Sequence, residues 1–240
     1  MLPEVAAQGD LRDLIPRLSS IPTLGREDCI ELVRAARLYQ DALWVAESVP
    51  NLAWLLLVSA LETGANHWKR SWGTPVGNLQ AAMPDLAKRV QDVGGDDLMA
   101  FVAKKLSHLV KSTEKFVAFV VEHLPAPPAV RPESPGYQVE WTAANMESVL
   151  RIVYGYRSEA LHGGTPFPAP MCLPASRVDA DGALVELGTE ALAVTTEGGY
   201  WVAKDLPINL PTFHHLARGA LLRWWDSLVL PAEPGSPASA

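Results

Sequence analysis

The chain has 240 residues, 48% of them apolar and 20% charged, with a formal net charge of −7 at pH 7. This composition excludes disorder over most of the length, and the length allows a sizeable core without disulfides or metal. The acidic balance excludes a broadly basic nucleic-acid coat, while a local basic patch stays open. Cys29 and Cys172 are the only cysteines. That excludes a disulfide scaffold and a cysteine-rich zinc site, and it fits a reducing, cytoplasmic setting. The first ten residues hold two acids and no Lys or Arg, unlike a secretory leader.

In chain order, residues 1–25 read as an irregular lead-in with one helical turn near Asp10 to Leu14, broken by Pro3, Pro16 and Pro22. Residues 26–47 have helical periodicity through Ile30, Val33, Ala36 and Leu38, and Ser48-Val49-Pro50 stops them. A second helix is expected from Asn51, as its cap, to His67. Its run Leu52 to Leu61 is apolar nearly all round, so it belongs at the centre of a bundle. The run is about half of the ~20 residues that span a bilayer, and no membrane association is expected. Residues 73–85 read as a loop with a short helix at most. A short helix follows near Asp85 to Asp92, and Gly94-Gly95 breaks it.

The longest helix is expected from Asp96 to Leu124, with Leu98, Val102, Leu106, Leu109, Phe116 and Val120 as its apolar stripe. Five prolines between 125 and 135 then make a stiff linker. A helix over 140–162 follows, closed by Gly163-Gly164. Beyond it the period changes. Short apolar runs separated by Asp181-Gly182 and Gly198-Gly199 predict a small β-hairpin or meander over about 178–203. A last helix over 211–230 should turn Leu216, Ala220, Leu221 and Trp224 inward, and 231–240 is a disordered tail by composition. The fold class is therefore mainly α, with a small β element inserted before the C-terminal helix. The folded domain covers 26–230.

No phosphate-binding glycine loop, nucleophile elbow or His-Glu-x-x-His string occurs. His214 and His215 are adjacent, so on a helix they point about 100° apart and are poorly placed to share a metal. No cofactor or metal is expected. The informative stretch is Arg151 to Gly164, RIVYGYRSEALHGG, with Arg157 and His162 at a helix end. Arg carries a permanent charge on a fork that fits phosphate. His titrates near neutrality and can move a proton. Together they suit metal-free RNA cleavage, His162 taking the ribose 2′-OH proton and Arg157 holding the charge that develops on phosphate. On a straight helix, however, five steps turn about 500°, so the two side chains lie roughly 140° apart. They converge only if the last turn loosens or if a second copy completes the site. Ser158 shares the face of His162. The structural alternative is that Arg157 and His162 simply sit well at a helix C-terminus.

The string Tyr156-Arg157-Ser158-Glu159-Ala160-Leu161-His162-Gly163 resembles the R-x4-H signature of HEPN domains, specifically the Apea-like branch. The upstream pair of helices, Leu38 to Leu43 and then Ala53 through Ala60-Leu61-Glu62, is similar to the same branch. The resemblance covers roughly residues 30 to 165. It implies a helical bundle that dimerises, with Arg and His of both copies facing a shared cleft. It implies a metal-independent endoribonuclease in a toxin, antiphage or RNA-processing role. The alternative it carries is a non-catalytic dimer that binds RNA, a nucleotide or a protein partner such as an antitoxin or regulator. Active branches more often have Asn, Asp or His where Ser158 stands, and the minimal bundle lacks the β-like segment.

Glu62 ends an apolar helix, and a half-buried carboxylate needs a partner such as Arg157 or another Arg. It would either orient the catalytic Arg or form a structural ion pair, and Asn66, one turn later, could join either network. Lys104, His108, Lys111 and Lys115 form a basic stripe that could track phosphates or simply be a solvated face. Trp68 and Trp72, beside Lys69 and Arg70, are the better base-stacking candidates, and Trp54, Trp224 and Trp225 read as core or dimer interface. Substituting Arg157 or His162 is expected to abolish cleavage and leave the fold intact. Placement discriminates between the readings. An Arg157–His162 pair open to a groove favours RNA, and burial with internal pairing favours a structural role.

Overall fold

Prolines open the helices of this chain more often than they close them. Proline lacks an N–H, and the first turn of a helix has no intrahelical partner for that group anyway. The computed structural model describes residues 14–68, 73–133, 135, 138–172, 194–196 and 199–229. Within them α1 is Ile15–Ser20, with Pro16 in its first turn, followed by a 3₁₀ turn at Ile21–Thr23. The lead-in is therefore partly helical after Leu14, and residues 10–13 of the expected turn lie outside the described residues. α2 is Arg26–Val45 and α3 is Pro50–Trp68. Pro50 begins α3, so Asn51 falls inside the first turn and is not the cap. Its Oδ1 instead accepts from the Cys172 thiol at 3.6 Å.

α4, Pro75–Ala82, is capped by Thr74, whose Oγ1 accepts from the Gly77 amide at 3.1 Å. α5 runs Pro84–Glu122 with a break at Gly95, whose φ of 62° needs a residue without Cβ. α6 is Ala143–His162, capped by Thr142, and α7 is Leu210–Val229. The side chain of Asn209 accepts from the Thr212 amide at 3.1 Å and closes the N-terminus of α7. Among the described residues, the proline-rich stretch between α5 and α6 contains no α-helix. It is tied down by Trp141 Nε1, which donates to the Pro125 carbonyl at 2.8 Å.

α3 is the central element, as its all-round apolarity demands. It touches α2, α5, α6 and α7. Trp54, Leu57, Val58, Ala60 and Leu61 are fully buried. Trp54 stacks between Phe213 of α7, 4.6 Å between centroids, and Phe167, 5.0 Å away. Gly64 brings α3 against α5, since a Cβ there would sit 2.6 Å from Phe119 Cζ. Gly64→Ala is expected to cost about 1–3 kcal/mol through overpacking, read as a drop in the urea midpoint at unchanged m-value. A fully stable variant would mean that the Phe119 ring yields freely.

Two apolar stripes are rotated from expectation. In α2 the buried side chains are Leu32, Ala35 and Ala42, whereas Ile30, Val33 and Ala36 are exposed. α2 is apolar on more than one side, so period alone allowed either stripe. In α5 the first half buries Ala87, Met99 and Ala103 against Leu79 of α4, as a small second core. Leu98 is exposed there, because the face turned to α4 is that of Met99 and Ala103. Phe116 and Val120 enter the main core as expected. The side chain of Leu109 lies outside the described residues.

The chain is mainly α-helical. Of the stretch expected to be β-like, 178–203, residues 178–193 and 197–198 lie outside the described residues. The described part pairs Val194–Thr196 (β1) antiparallel with Gly199–Trp201 (β2). The tail 231–240 also lies outside. No described helix is long and apolar enough to cross a membrane.

Candidate functional site

The side chains of greatest chemical interest meet where α6 crosses α3. Three residues separate Tyr154 from Arg157, so both lie on one face of α6. That face meets Glu62 of α3. Arg157 Nη2 donates to Glu62 Oε2 at 2.6 Å, and the Tyr154 hydroxyl donates to Glu62 Oε1 at 2.7 Å. The guanidinium also lies over the Tyr154 ring, 5.3 Å from its centroid. Both members of the ion pair are largely withdrawn from water, at 19% exposure for Arg157 and 18% for Glu62. Arg157 Nε is buried and has no acceptor among the described residues. Burial, and then the hydrogen bond to the Glu62 carboxylate, push Tyr154 up to about 12. The phenol is thus a fixed donor throughout the physiological range.

The expected Arg157–Glu62 partnership is therefore present. Tyr154 is the member that sequence reasoning missed, although its i, i+3 spacing to Arg157 was the available signal. Asn66 does not join them. Both Glu62 oxygens are taken, and Asn66 is exposed in a separate polar cleft lined by Thr63, His67, Glu31 and Arg34.

His162 is not brought to Arg157 within one chain. α6 remains helical through His162, and the Gly163 amide still donates to the Glu159 carbonyl at 2.7 Å. The last turn does not loosen, and the roughly 140° divergence stands. Arg157 faces the core, whereas His162 is exposed and makes no hydrogen bond to a described residue. Ser158 is half-buried, with no hydrogen bond to His162. The placement criterion thus splits, with Arg157 on the structural side and His162 on the open side.

The remaining candidates scatter. Lys104 is exposed on α5, and Lys115 is half-buried; the side chains of His108 and Lys111 lie outside the described residues. Trp68 is no stacking platform, because it packs edge-on against Phe119 and His123 inside the bundle. Trp72 lies outside the described residues. Trp54 and Trp224 are fully buried, and Trp225 is half-buried, donating to Ser20 Oγ at 3.2 Å. Among the described residues no group of three or more His, Cys, Asp or Glu side chains is placed to hold a metal ion.

His214 and His215 point to different partners. His215 Nε2 lies 2.9 Å from the Ala126 carbonyl, and His214 Nε2 lies 2.5 Å from the Tyr39 hydroxyl. Burial pushes Tyr39 up to about 12, and burial with the charge of Arg218 pulls His214 down to about 4. Neutral His214 accepts a hydrogen bond from the Tyr39 hydroxyl through Nε2. A depressed histidine adds stability that is fully present above its unfolded pKa, near 6.5, and is lost as pH falls toward 4. Wild type should lose on the order of 3 kcal/mol over that window that His214→Asn does not lose, measured by urea unfolding at several pH values. Parallel curves for the two proteins would refute this.

Comparison of the chain with protein-family models, with curated proteins and with solved structures found no match.

Proposed function

We propose that this chain is a HEPN-like helical protein and a metal-independent endoribonuclease whose site is completed by a second copy. The observation that carries the reading is His162. It is a solvent-facing imidazole on the last turn of α6, uncommitted to any described partner, five residues from an oriented guanidinium. Because one chain holds the two side chains apart, the site needs α6 of a partner chain beside it. His162 then removes the 2′-OH proton, Arg157 stabilises charge on the phosphate, and Ser158 supports the substrate. The ladder of β1 and β2 belongs to a β insertion ahead of α7 in this reading. A cytoplasmic toxin or antiphage role, restrained by an antitoxin or regulator, goes with it.

The Glu62–Arg157 pair favours a second reading. A guanidinium already neutralised by a carboxylate at 2.6 Å is poorly placed to stabilise charge developing on phosphate, which suits a non-catalytic HEPN-like dimer that binds RNA, a nucleotide or a protein through other groups. Cleavage of mixed RNA by wild type and His162→Ala in excess EDTA decides between them. Cleavage by wild type alone supports the ribonuclease. Cleavage by neither, from a chain that still dimerises, supports the binding protein.

A further inference from the structure

We propose that the groove between α1, α2 and α7 binds an aliphatic carboxylate, with its chain along the apolar walls and its head on Arg218. This goes beyond the ribonuclease reading and does not depend on it.

The groove has a volume of about 440 Å³, within the range of small-molecule sites. Its walls are Leu18, Ile21, Leu32, Val33, Leu221 and Trp225. Ala35 and Ala36 also line it, and their small side chains leave the space between the helices unfilled. The walls are held in place from α1. Arg17 makes a two-pronged pair with Asp226 of α7 at 2.7 and 2.8 Å, and Ser20 accepts from Trp225 Nε1.

The polar groups on the lining narrow the ligand chemistry. The Tyr39 hydroxyl is committed to His214, and both groups are neutral at pH 7. Cys29 contributes a thiol. Among the described lining residues Arg218 is the single charge. It is exposed at the edge and makes no ion pair with a described residue. An apolar trough with a cation at its rim that no described acid pairs is complementary to an apolar body with one anion. A carboxylate on a flexible chain meets both demands.

The test is titration calorimetry at pH 7.5 with decanoate, and with decan-1-ol as the uncharged control. Wild type should bind decanoate at one saturable site and decan-1-ol about fivefold more weakly, the scale of a partly exposed ion pair. Arg218→Gln should bring decanoate to the level of decan-1-ol. Ala36→Trp fills the groove from an exposed position and should weaken both at least tenfold. Val33→Trp is a second blocking variant should the first fold poorly. The proposal is overturned by no saturable decanoate binding, by equal affinity for acid and alcohol, or by binding that survives both blocking variants. It is also overturned if Ala36→Trp dissociates a wild-type dimer that takes up no decanoate, because the groove is then a protein interface. RNA cleavage is measured separately, so failure of the ribonuclease reading leaves this result standing.

Discussion

Glu62→Ala should lower the unfolding free energy by about 2–4 kcal/mol. Removing one member of a fully buried ion pair costs about 3–5 kcal/mol, because the other charge stays behind without a partner. Here each side chain retains nearly a fifth of its exposure, so solvent relieves part of that cost. The alanine also strips the Tyr154 hydroxyl of its acceptor, which adds the penalty of an unsatisfied donor. Glu62→Gln keeps an acceptor for Tyr154 and loses only the charge, so it should cost about half as much. The double variant Glu62→Leu/Arg157→Met should recover most of the loss, since no orphaned charge remains. Urea unfolding of these proteins, together with Glu62→Leu and Arg157→Met as the single variants of the cycle, measures the coupling. A single Glu62→Ala variant within 0.5 kcal/mol of wild type would show that the pair does not hold α3 to α6.

His162→Ala should reduce RNA cleavage in excess EDTA by about 10²–10⁴-fold, the usual contribution of a positioned acid–base group. Its stability should stay within about 0.5 kcal/mol of wild type, because the side chain is exposed and unbonded to described residues. Arg157 behaves differently. It anchors α6 on Glu62, so Arg157→Ala should lose stability together with activity. On this geometry only the His162 substitution is expected to leave the fold intact, which makes His162 the cleaner probe. A site shared by two copies also predicts that wild-type specific activity falls on dilution through the dimer dissociation range. A folded His162→Ala protein that cleaves as fast as wild type removes His162 from the mechanism.

Much of the architecture was legible from punctuation and period. Gly94-Gly95 and Gly163-Gly164 mark a helix break and a helix end through local backbone chemistry, which does not depend on the rest of the fold. Pro50 and Pro16 were misjudged in one respect, since a proline ends one helix and opens another equally well. The faces of α2 and of the first half of α5 were misread. Where a helix is apolar on several sides, its period does not say which side meets a neighbour.

The same division runs through the site. The sequence alone determined a mainly helical chain with α3 at its centre, and it required that Glu62, at the end of an apolar helix, find a cationic partner. These follow from short-range sterics and from the cost of a desolvated charge. Only the tertiary structure decided that the partner is Arg157, 95 residues away, that Tyr154 shares the carboxylate, and that His162 turns to solvent. It likewise decided that the Tyr39 hydroxyl is hydrogen-bonded to His214 and that Arg218 stands beside an open groove with no ion pair to a described residue. Such pairings depend on the distance and angle at which helices cross. Side-chain packing summed over the whole core sets those quantities, and no local stretch of sequence encodes them.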